Sequence, residues 1–148
     1  MSVGAEVYLE IRTGAALRSI RVLNELLEVA LRALGIEDAS RHDLAMGVAE
    51  LVANVCEHEY QGGRLRDPTG GEVGLRLDGT ASELRLTVTS QGPRFDLDAA
   101  LERARVHDPL EALDGSGLGL RMLDALFDAI DHAYQADAGN RITLRRAR

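Results

Sequence analysis

The chain has 148 residues, of which 45% are hydrophobic and 28% are charged, and this composition is typical of a globular protein rather than a disordered one. The length suffices for one domain, residues 1–148, with a substantial hydrophobic core. The formal net charge of -7 provides no general attraction to nucleic acid or to an anionic membrane surface, so we expect no direct nucleic-acid binding.

The sequence also indicates a compartment. It contains no apolar run as long as a membrane span, and its first residues lack the basic start and apolar stretch of a signal peptide. The single cysteine, Cys56, excludes an internal disulfide and fits a reducing environment. We therefore expect a cytoplasmic protein without a membrane partner.

The basic residues exclude several kinds of phosphate chemistry. The sequence contains no lysine, so all 17 basic residues are arginines. A phosphate-binding loop that ends in Gly-Lys-Ser/Thr, the strand lysine of protein kinases and a Schiff-base lysine are therefore excluded. Any phosphate chemistry must use other residues.

The beginning of the chain predicts a strand followed by a helix. Apolar and polar residues alternate over residues 6–12, which is the pattern of a half-buried strand with Val7 on its apolar side. From about residue 15 to residue 34, leucines and isoleucine recur at three- and four-residue steps. Gly35 is the predicted end of this helix.

A second predicted helix carries the most informative polar residues. Ser40, with Asp43 three residues later, is its predicted N-cap. Glu50, Asn54 and His58 follow at four-residue spacing, so they form one narrow stripe on a helix that is otherwise mostly apolar or small. Because unpaired burial of a carboxylate and an amide is costly, we expect the stripe to face a cleft. A solvated stripe on an amphipathic helix is the alternative.

The middle of the chain predicts a β-hairpin. A segment rich in turn residues at 61–71 precedes two alternating stretches, residues 73–78 and 84–89, with a turn predicted over 78–82. Each strand has one apolar face, so helices should cover one side of the sheet only. Ser90 keeps the inward phase of the second strand and should lie at its pocket end.

The last part of the chain predicts a short helix over 96–105 and an irregular stretch over 106–114. A glycine-rich run follows, which consists of Gly115, Ser116, Gly117, Leu118 and Gly119. After it, the pattern predicts a helix that continues to Ile130 and a closing strand over 139–145. Glycines before a helix let backbone N–H groups approach an anion, and the helix N-terminus adds partial positive charge. The alternative is a flexible turn that only begins a helix. A Rossmann turn does not fit, because that motif follows a strand.

Three features occur in order: Glu50-x-x-x-Asn54 on a helix, a strand that ends before Gly92 and Phe95, and the glycine-rich helix start. This set, spread over nearly the whole chain, resembles the GHKL ATPase superfamily, which unites gyrase, Hsp-type chaperones, sensor histidine kinases and mismatch-repair proteins. Within it the chain is most similar to the anti-sigma-factor serine/threonine kinases. The resemblance implies the Bergerat fold, an α+β two-layer sandwich with a mixed, largely antiparallel β-sheet covered on one face by helices.

The resemblance also implies ATP and Mg²⁺ as cofactors and assigns roles by position. Glu50 matches the glutamate that acts as general base on the attacking hydroxyl, and Asn54 matches the Mg²⁺ ligand. These types suit the chemistry, because a carboxylate accepts a serine proton and an amide oxygen suits a hard cation. The remaining predicted nucleotide-binding residues are Ser90 and Gly92 near adenine, Gly117, Leu118 and Gly119 in the phosphate-cradling lid, and the adjoining Gly115 and Ser116.

The sequence departs from the family pattern where adenine is recognised. The family normally has Asp at the position of Ser90, and a neutral hydroxyl is a weaker hydrogen-bond partner. Asn140 and Arg141 stand where family members commonly carry threonines that support adenine. His58 matches a recurrent family histidine, with a helix-end cap as the alternative. These departures concern ATP affinity and specificity.

The implied function is that of an anti-sigma factor. Such a protein binds a sigma factor, uses Mg·ATP to phosphorylate a serine of a STAS-type anti-anti-sigma partner, and the family resemblance suggests a homodimer. The alternative is a binding module of the same fold with impaired nucleotide binding, which switches partners without phosphoryl transfer. A histidine-kinase catalytic domain would need a phospho-acceptor domain or a partner that supplies one. A domain without any site would require the polar stripe and the glycine run to coincide by accident.

Overall fold

The computed structural model describes residues 4–14, 17–59, 72–106 and 118–148. Its elements are, in chain order, β1 Glu6–Gly14, α1 Leu17–Ala33, α2 Asp38–Glu59, β2 Glu72–Gly79, β3 Glu83–Ser90, α3 Leu97–Val106, α4 Leu118–Leu126, β4 Ala129–Gln135 and β5 Gly139–Ala147. The predicted loop at 61–71 and most of the irregular stretch over 106–114 lie outside the described residues.

The strands form one sheet in the order β1-β2-β3-β5-β4. Side chains from one face of this sheet and from all four described helices share one hydrophobic core. The predicted two-layer α+β fold with helices on one face is therefore confirmed. Each of the four described strand pairings is antiparallel, so the mixed component of the expected sheet does not occur among these strands. Within the described ranges, no helix has the length and apolar character needed to cross a bilayer.

Strand β1 contains an irregularity that its alternating sequence does not reveal. The register with β2 shifts between Val7 and Leu9. Leu9 and Ile11 pack against the core as the alternation predicts, whereas Val7 is 45% exposed. An extra residue in one strand reverses the face on which the residues beyond it point. The prediction that Val7 lies on the core side is therefore wrong.

The turn between α1 and α2 follows local rules. Gly35 has a φ of 81°, and the backbone N–H of Ile36 donates to the carbonyl of Leu31 at 3.1 Å, which is the Schellman arrangement at a helix C-terminus. Helix α2 then begins at Asp38 rather than after Ser40, so the predicted N-cap is wrong. The backbone N–H of Arg41 already donates to the carbonyl of Glu37 at 2.8 Å, which places Ser40 inside the first turn.

Strand β4 was not predicted. The helical pattern was expected to continue to Ile130, but α4 ends at Leu126 and Ile130 belongs to the edge strand. The backbone N–H of Asp128 donates to the carbonyl of Arg145 at 2.8 Å, so the chain joins β5 directly after the helix. Pairing with a distant strand overrides the local helical spacing here, because strand formation depends on its neighbours more than on propensity.

A buried acid connects β2 and β3 on the sheet face opposite to the helices. Asp78 is the last residue of the predicted alternation and lies in β2, so the turn begins after it and not at it; its side chain is only 3% exposed. It accepts hydrogen bonds from Nε of Arg76 at 2.9 Å and from Nε of Arg85 at 2.7 Å. The hydrogen bond to Asp78 is the main cause of the raised pKa of Arg85, and burial opposes it. A buried carboxylate is tolerated when it is paired in this way.

Replacement of Asp78 should destabilise the sheet. We expect Asp78→Ala to lower the free energy of unfolding by about 1–3 kcal/mol, because two partly buried guanidinium groups lose their shared acceptor. Urea denaturation measures this change. Asp137→Ala in the exposed turn before β5 is the matched control, and it should change the free energy of unfolding by less than about 0.5 kcal/mol. Equal effects of the two variants would contradict a supporting role for Asp78.

Candidate functional site

Helix α2 presents a polar pair from a buried framework. Leu51, Val52 and Val55 are at most 1% exposed and pack in the core. Glu50 and Asn54 are half-buried on the same helix, so they lie neither in open solvent nor inside the core. Partial burial is the environment expected of a polar pair at the wall of a cleft, and it does not favour the alternative of a fully solvated stripe.

The amide of Asn54 is held by the helix itself. Its Nδ2 donates to the backbone carbonyl of Glu50 at 2.8 Å. Because the nitrogen is used inside the helix, Oδ1 is the atom of this amide that remains for a ligand outside it. An amide oxygen is a suitable ligand for Mg²⁺, so the orientation of Asn54 fits the predicted metal role.

Glu50 lies one helical turn before Asn54. Side chains at this spacing project from the same side of a helix, so the carboxylate and the amide can contact the same ligand. A carboxylate at this position can accept a proton from an attacking hydroxyl while the amide holds a cation nearby. The pair therefore combines a side chain of a type that can accept a proton with one of a type that can bind a cation.

The other candidate residues lie where β3 ends and β5 begins. Ser90 and Asn140 are cross-strand partners, and each is 2% exposed. Within the described part of the chain, Oγ of Ser90 has no hydrogen-bond partner. A buried polar group left unsatisfied costs about 1–3 kcal/mol. The site therefore fits a ligand that offers a hydrogen-bond donor at this point, as the amino group of adenine would.

Asn140 is committed to the chain rather than to a ligand. Its Oδ1 accepts a hydrogen bond from the backbone N–H of Phe95 at 2.9 Å and lies 3.0 Å from Nε2 of His132. Its Nδ2 donates to the carbonyl of Pro93 at 2.8 Å. One side chain thus ties the segment after β3 to both β4 and β5. Sequence reasoning placed Asn140 near adenine but did not find these contacts, since β4 was not predicted and no local pattern reveals partners 45 and 47 residues away.

Gly139 determines how closely β5 approaches the end of β3. Its φ is 79°, and a Cβ at this position would overlap with the carbonyl oxygen of Ser90. Only glycine meets both conditions without strain. The sequence carries the signal, a glycine at the start of the closing strand, but the contact with Ser90 becomes evident only once the strands are paired.

The remaining predicted site residues fall into three groups. Gly92 is half-buried directly after β3, in the position expected from the sequence. The structure does not describe Gly115, Ser116 and Gly117, the surroundings of Leu118 and Gly119, or the side chain of His58. The backbone of α4 begins at Leu118, where the sequence predicts the start of a helix. Arg141 is exposed on the sheet face opposite to the core, so it does not support a ligand on the core side next to Asn140.

Comparison with known protein families matches residues 13–146 with the family described as the histidine kinase-like ATPase domain. The chain belongs to this family. The matched range contains both the Glu50–Asn54 pair and the Ser90–Asn140 pair, and it confirms the resemblance inferred from the order of the sequence motifs.

Several curated relatives are named serine-protein kinase RsbW. The chain is 33% identical over 92 residues to that of Halalkalibacterium halodurans, an alignment that covers 60% of this chain and 52%, about half, of the relative. It is 25% identical over 142 residues to that of Bacillus licheniformis, covering 94% of this chain and 84% of the relative. It is 24% identical over 126 residues to that of Bacillus subtilis, covering 83% and 76%.

A solved structure shares the fold. The SiaB-SiaC complex from Pseudomonas aeruginosa contains a chain that superposes with a TM-score of 0.60, covering 96% of this chain and 89% of that one. The two sequences are 14% identical, so the similarity concerns the fold alone.

The clamp formed by Asn140 can be tested directly. We expect Asn140→Ala to lower the free energy of unfolding by about 1–3 kcal/mol, because the buried N–H of Phe95 and the carbonyl of Pro93 lose their partner. Hydrogen exchange should show faster exchange at the Phe95 amide. Gln135→Ala at the exposed end of β4 is the control. Unchanged exchange at Phe95 would show that the clamp does not hold this segment.

Proposed function

We propose that this protein is a cytoplasmic, ATP-dependent serine-protein kinase that acts as an anti-sigma factor, with residues 1–148 working as one domain. The observation that carries the proposal is the pair on α2: the half-buried Glu50 and, one turn later, the half-buried Asn54, whose amide is held by the hydrogen bond from Nδ2 to the carbonyl of Glu50. Membership of the histidine kinase-like ATPase family and relatives named serine-protein kinases support it.

The proposed cycle has two protein partners. The protein binds a sigma factor, and it phosphorylates a serine on a STAS-type anti-anti-sigma protein, which then no longer displaces the sigma factor. The resemblance to anti-sigma-factor kinases supports both partners and a homodimeric working form. Neither nucleic acid nor membrane is a partner in this proposal, in keeping with the net charge of -7.

The chemistry follows from the residue types. Glu50 accepts the proton of the serine hydroxyl as its oxygen attacks the γ-phosphorus of ATP, and the bond from that phosphorus to the β-phosphate oxygen breaks to leave ADP. Oδ1 of Asn54 holds Mg²⁺, which when bound neutralises charge on the phosphates. Oγ of Ser90 accepts a hydrogen bond from the adenine amino group, and backbone N–H groups of the glycine-rich run Gly115 to Gly119 cradle the phosphates.

Glu50→Gln separates proton acceptance from binding. The amide keeps the size of the side chain but is a very weak base, so phosphoryl transfer should fall at least about 100-fold while Mg·ATP affinity changes little. Transfer of labelled γ-phosphate to a STAS-type protein of the same organism measures the first quantity, and titration calorimetry measures the second. Glu37→Gln, at an exposed position before α2, should leave both unchanged. Wild-type turnover in Glu50→Gln would exclude Glu50 as the base.

A second candidate function is a binding module that uses this fold without phosphoryl transfer. Two observations favour it: Ser90 offers a neutral hydroxyl where the family has a carboxylate, and Asn140 is already engaged by Pro93 and Phe95. Calorimetry of the wild-type chain with Mg·ATP distinguishes the two candidates. Binding with a Kd below about 1 mM supports the kinase, and no heat of binding up to that concentration supports the module.

Ser90→Asp tests the adenine contact. A carboxylate forms a charge-assisted hydrogen bond with the adenine amino group, so Mg·ATP should bind about tenfold more tightly. Thr87→Asp adds the same charge to β3 on the opposite sheet face and is the control. Thermal unfolding without nucleotide verifies that both variants fold. An unchanged Kd in a folded Ser90→Asp variant would show that adenine does not contact this position.

A further inference from the structure

The sheet face opposite to the helices contains a hollow that is lined mainly by arginines, although the chain as a whole is acidic. Five arginines line a hollow of about 550 Å³ on this face, together with two acidic residues, Glu10 and Asp78. The arginines are Arg12, Arg76, Arg85, Arg141 and Arg145. The lining of the hollow is therefore net positive in a protein whose net charge is -7, although the strand register also places Glu83 and Asp131 on this face. Such a surface attracts an anionic group locally.

Strand register places the arginines against one another. Asp78, Arg85 and Arg145 form one row across β2, β3 and β5. Directly opposite like charges destabilise a sheet, so the neighbouring Arg85 and Arg145 are unfavourable unless an anion lies between or above them. Asp78 forms an ion pair with Arg85, whereas Arg145 has no ion pair among the described residues. In this row, the positive charge of Arg145 on β5 is therefore not balanced by an ion pair with a described residue.

Asp78 also restricts the movement of two arginines that a ligand on this face would contact. It accepts hydrogen bonds from the Nε atoms of Arg76 and Arg85, which fixes both guanidinium groups beside the hollow. Each guanidinium has five N–H donors, so most remain for further contacts. Thr87 and Thr143, which pair across β3 and β5, add hydroxyl groups to the floor. A fixed guanidinium loses little entropy when it binds a carboxylate.

The arginines on the two sides of the hollow differ in their ion pairs. Arg12 lies 3.9 Å from Glu72, and Glu10 is the cross-strand neighbour of Arg76. On the β5 side, Asp131 of β4 lies on the same face opposite Thr143, but it is not within salt-bridge distance of a described arginine. Arg141 and Arg145, both exposed, have no acidic partner within salt-bridge distance in the described part of the chain. These two arginines therefore have the most capacity for an external anion.

We propose that this open face binds an acidic, extended segment of a partner protein. A second copy of the chain would bring the five arginines against five others. No aromatic side chain lines the hollow to stack with the bases of a nucleic acid. Aspartate and glutamate side chains pair with guanidinium in bidentate geometry. The distance from β1 to β5 is roughly 14 Å, which about five extended residues span.

A labelled acidic peptide tests the proposal. The probe is a fluorescein-labelled oligoglutamate of about eight residues, long enough to cross the hollow. We expect the wild-type protein to raise its fluorescence anisotropy, with less binding at higher salt. The double variant Arg141→Gln/Arg145→Gln should bind at least about tenfold more weakly. Arg21→Gln/Arg32→Gln, at exposed positions of α1, makes the same change in net charge and should bind within about twofold of wild type.

Several results would overturn the proposal. The wild-type chain would not bind the peptide, or both double variants would bind it equally weakly. Tighter binding of single-stranded DNA than of the peptide, with the same dependence on Arg141 and Arg145, would also contradict the proposal. Light scattering that shows a dimer which only the Arg141→Gln/Arg145→Gln variant dissociates would assign the face to a second copy. If the double variant does not fold, Arg145→Gln alone serves, with a loss of at least about threefold expected. Because the Glu50–Asn54 pair lies in the helical layer, ATP titrations report on the proposed kinase function separately.

Discussion

The antiparallel register between β3 and β5 is the constraint on which both candidate binding regions depend. It pairs Ser90 with Asn140 on the core face and Arg85 with Arg145 on the open face. Side chains alternate between faces along each strand, so one set of backbone hydrogen bonds positions two chemically different surfaces. The core face brings the buried side chains of Ser90 and Asn140 together, and the open face carries charged side chains that a core could not tolerate.

The parts of the fold that depend on local rules could be predicted from the sequence. Gly35 ends α1 because a glycine accepts positive φ, and the Glu50–Asn54 spacing needs only a helix to bring the two side chains to one side. Strand β4 could not be predicted, because its pairing with β5 decides its conformation. The exposure of Val7 depends on a register shift between β1 and β2. The alternation of apolar and polar residues in β1 does not reveal this shift.

The candidate site shows the same division. Glu50 and Asn54 form a local pair on one helix, so their spacing alone predicts that the two side chains lie on the same side of α2. The actual role of Asn140 depends on Pro93, Phe95 and His132, which come together only when three strands and a connecting segment are assembled. The alternation over residues 73–78 predicts that Asp78 belongs to β2, but its burial could not be predicted, because it depends on one arginine of the same strand and one of the neighbouring strand.

Gly139 has a consequence for how the length of this chain can vary. Its left-handed backbone and its contact with the end of β3 set the phase in which the chain enters β5. A residue inserted just after it would turn Arg141 and Arg145 toward the core and Ile142 and Leu144 toward solvent. Insertions and deletions are therefore incompatible with this strand but compatible with the exposed turn at 136–138, and divergence within β5 is restricted to substitutions that respect its two faces.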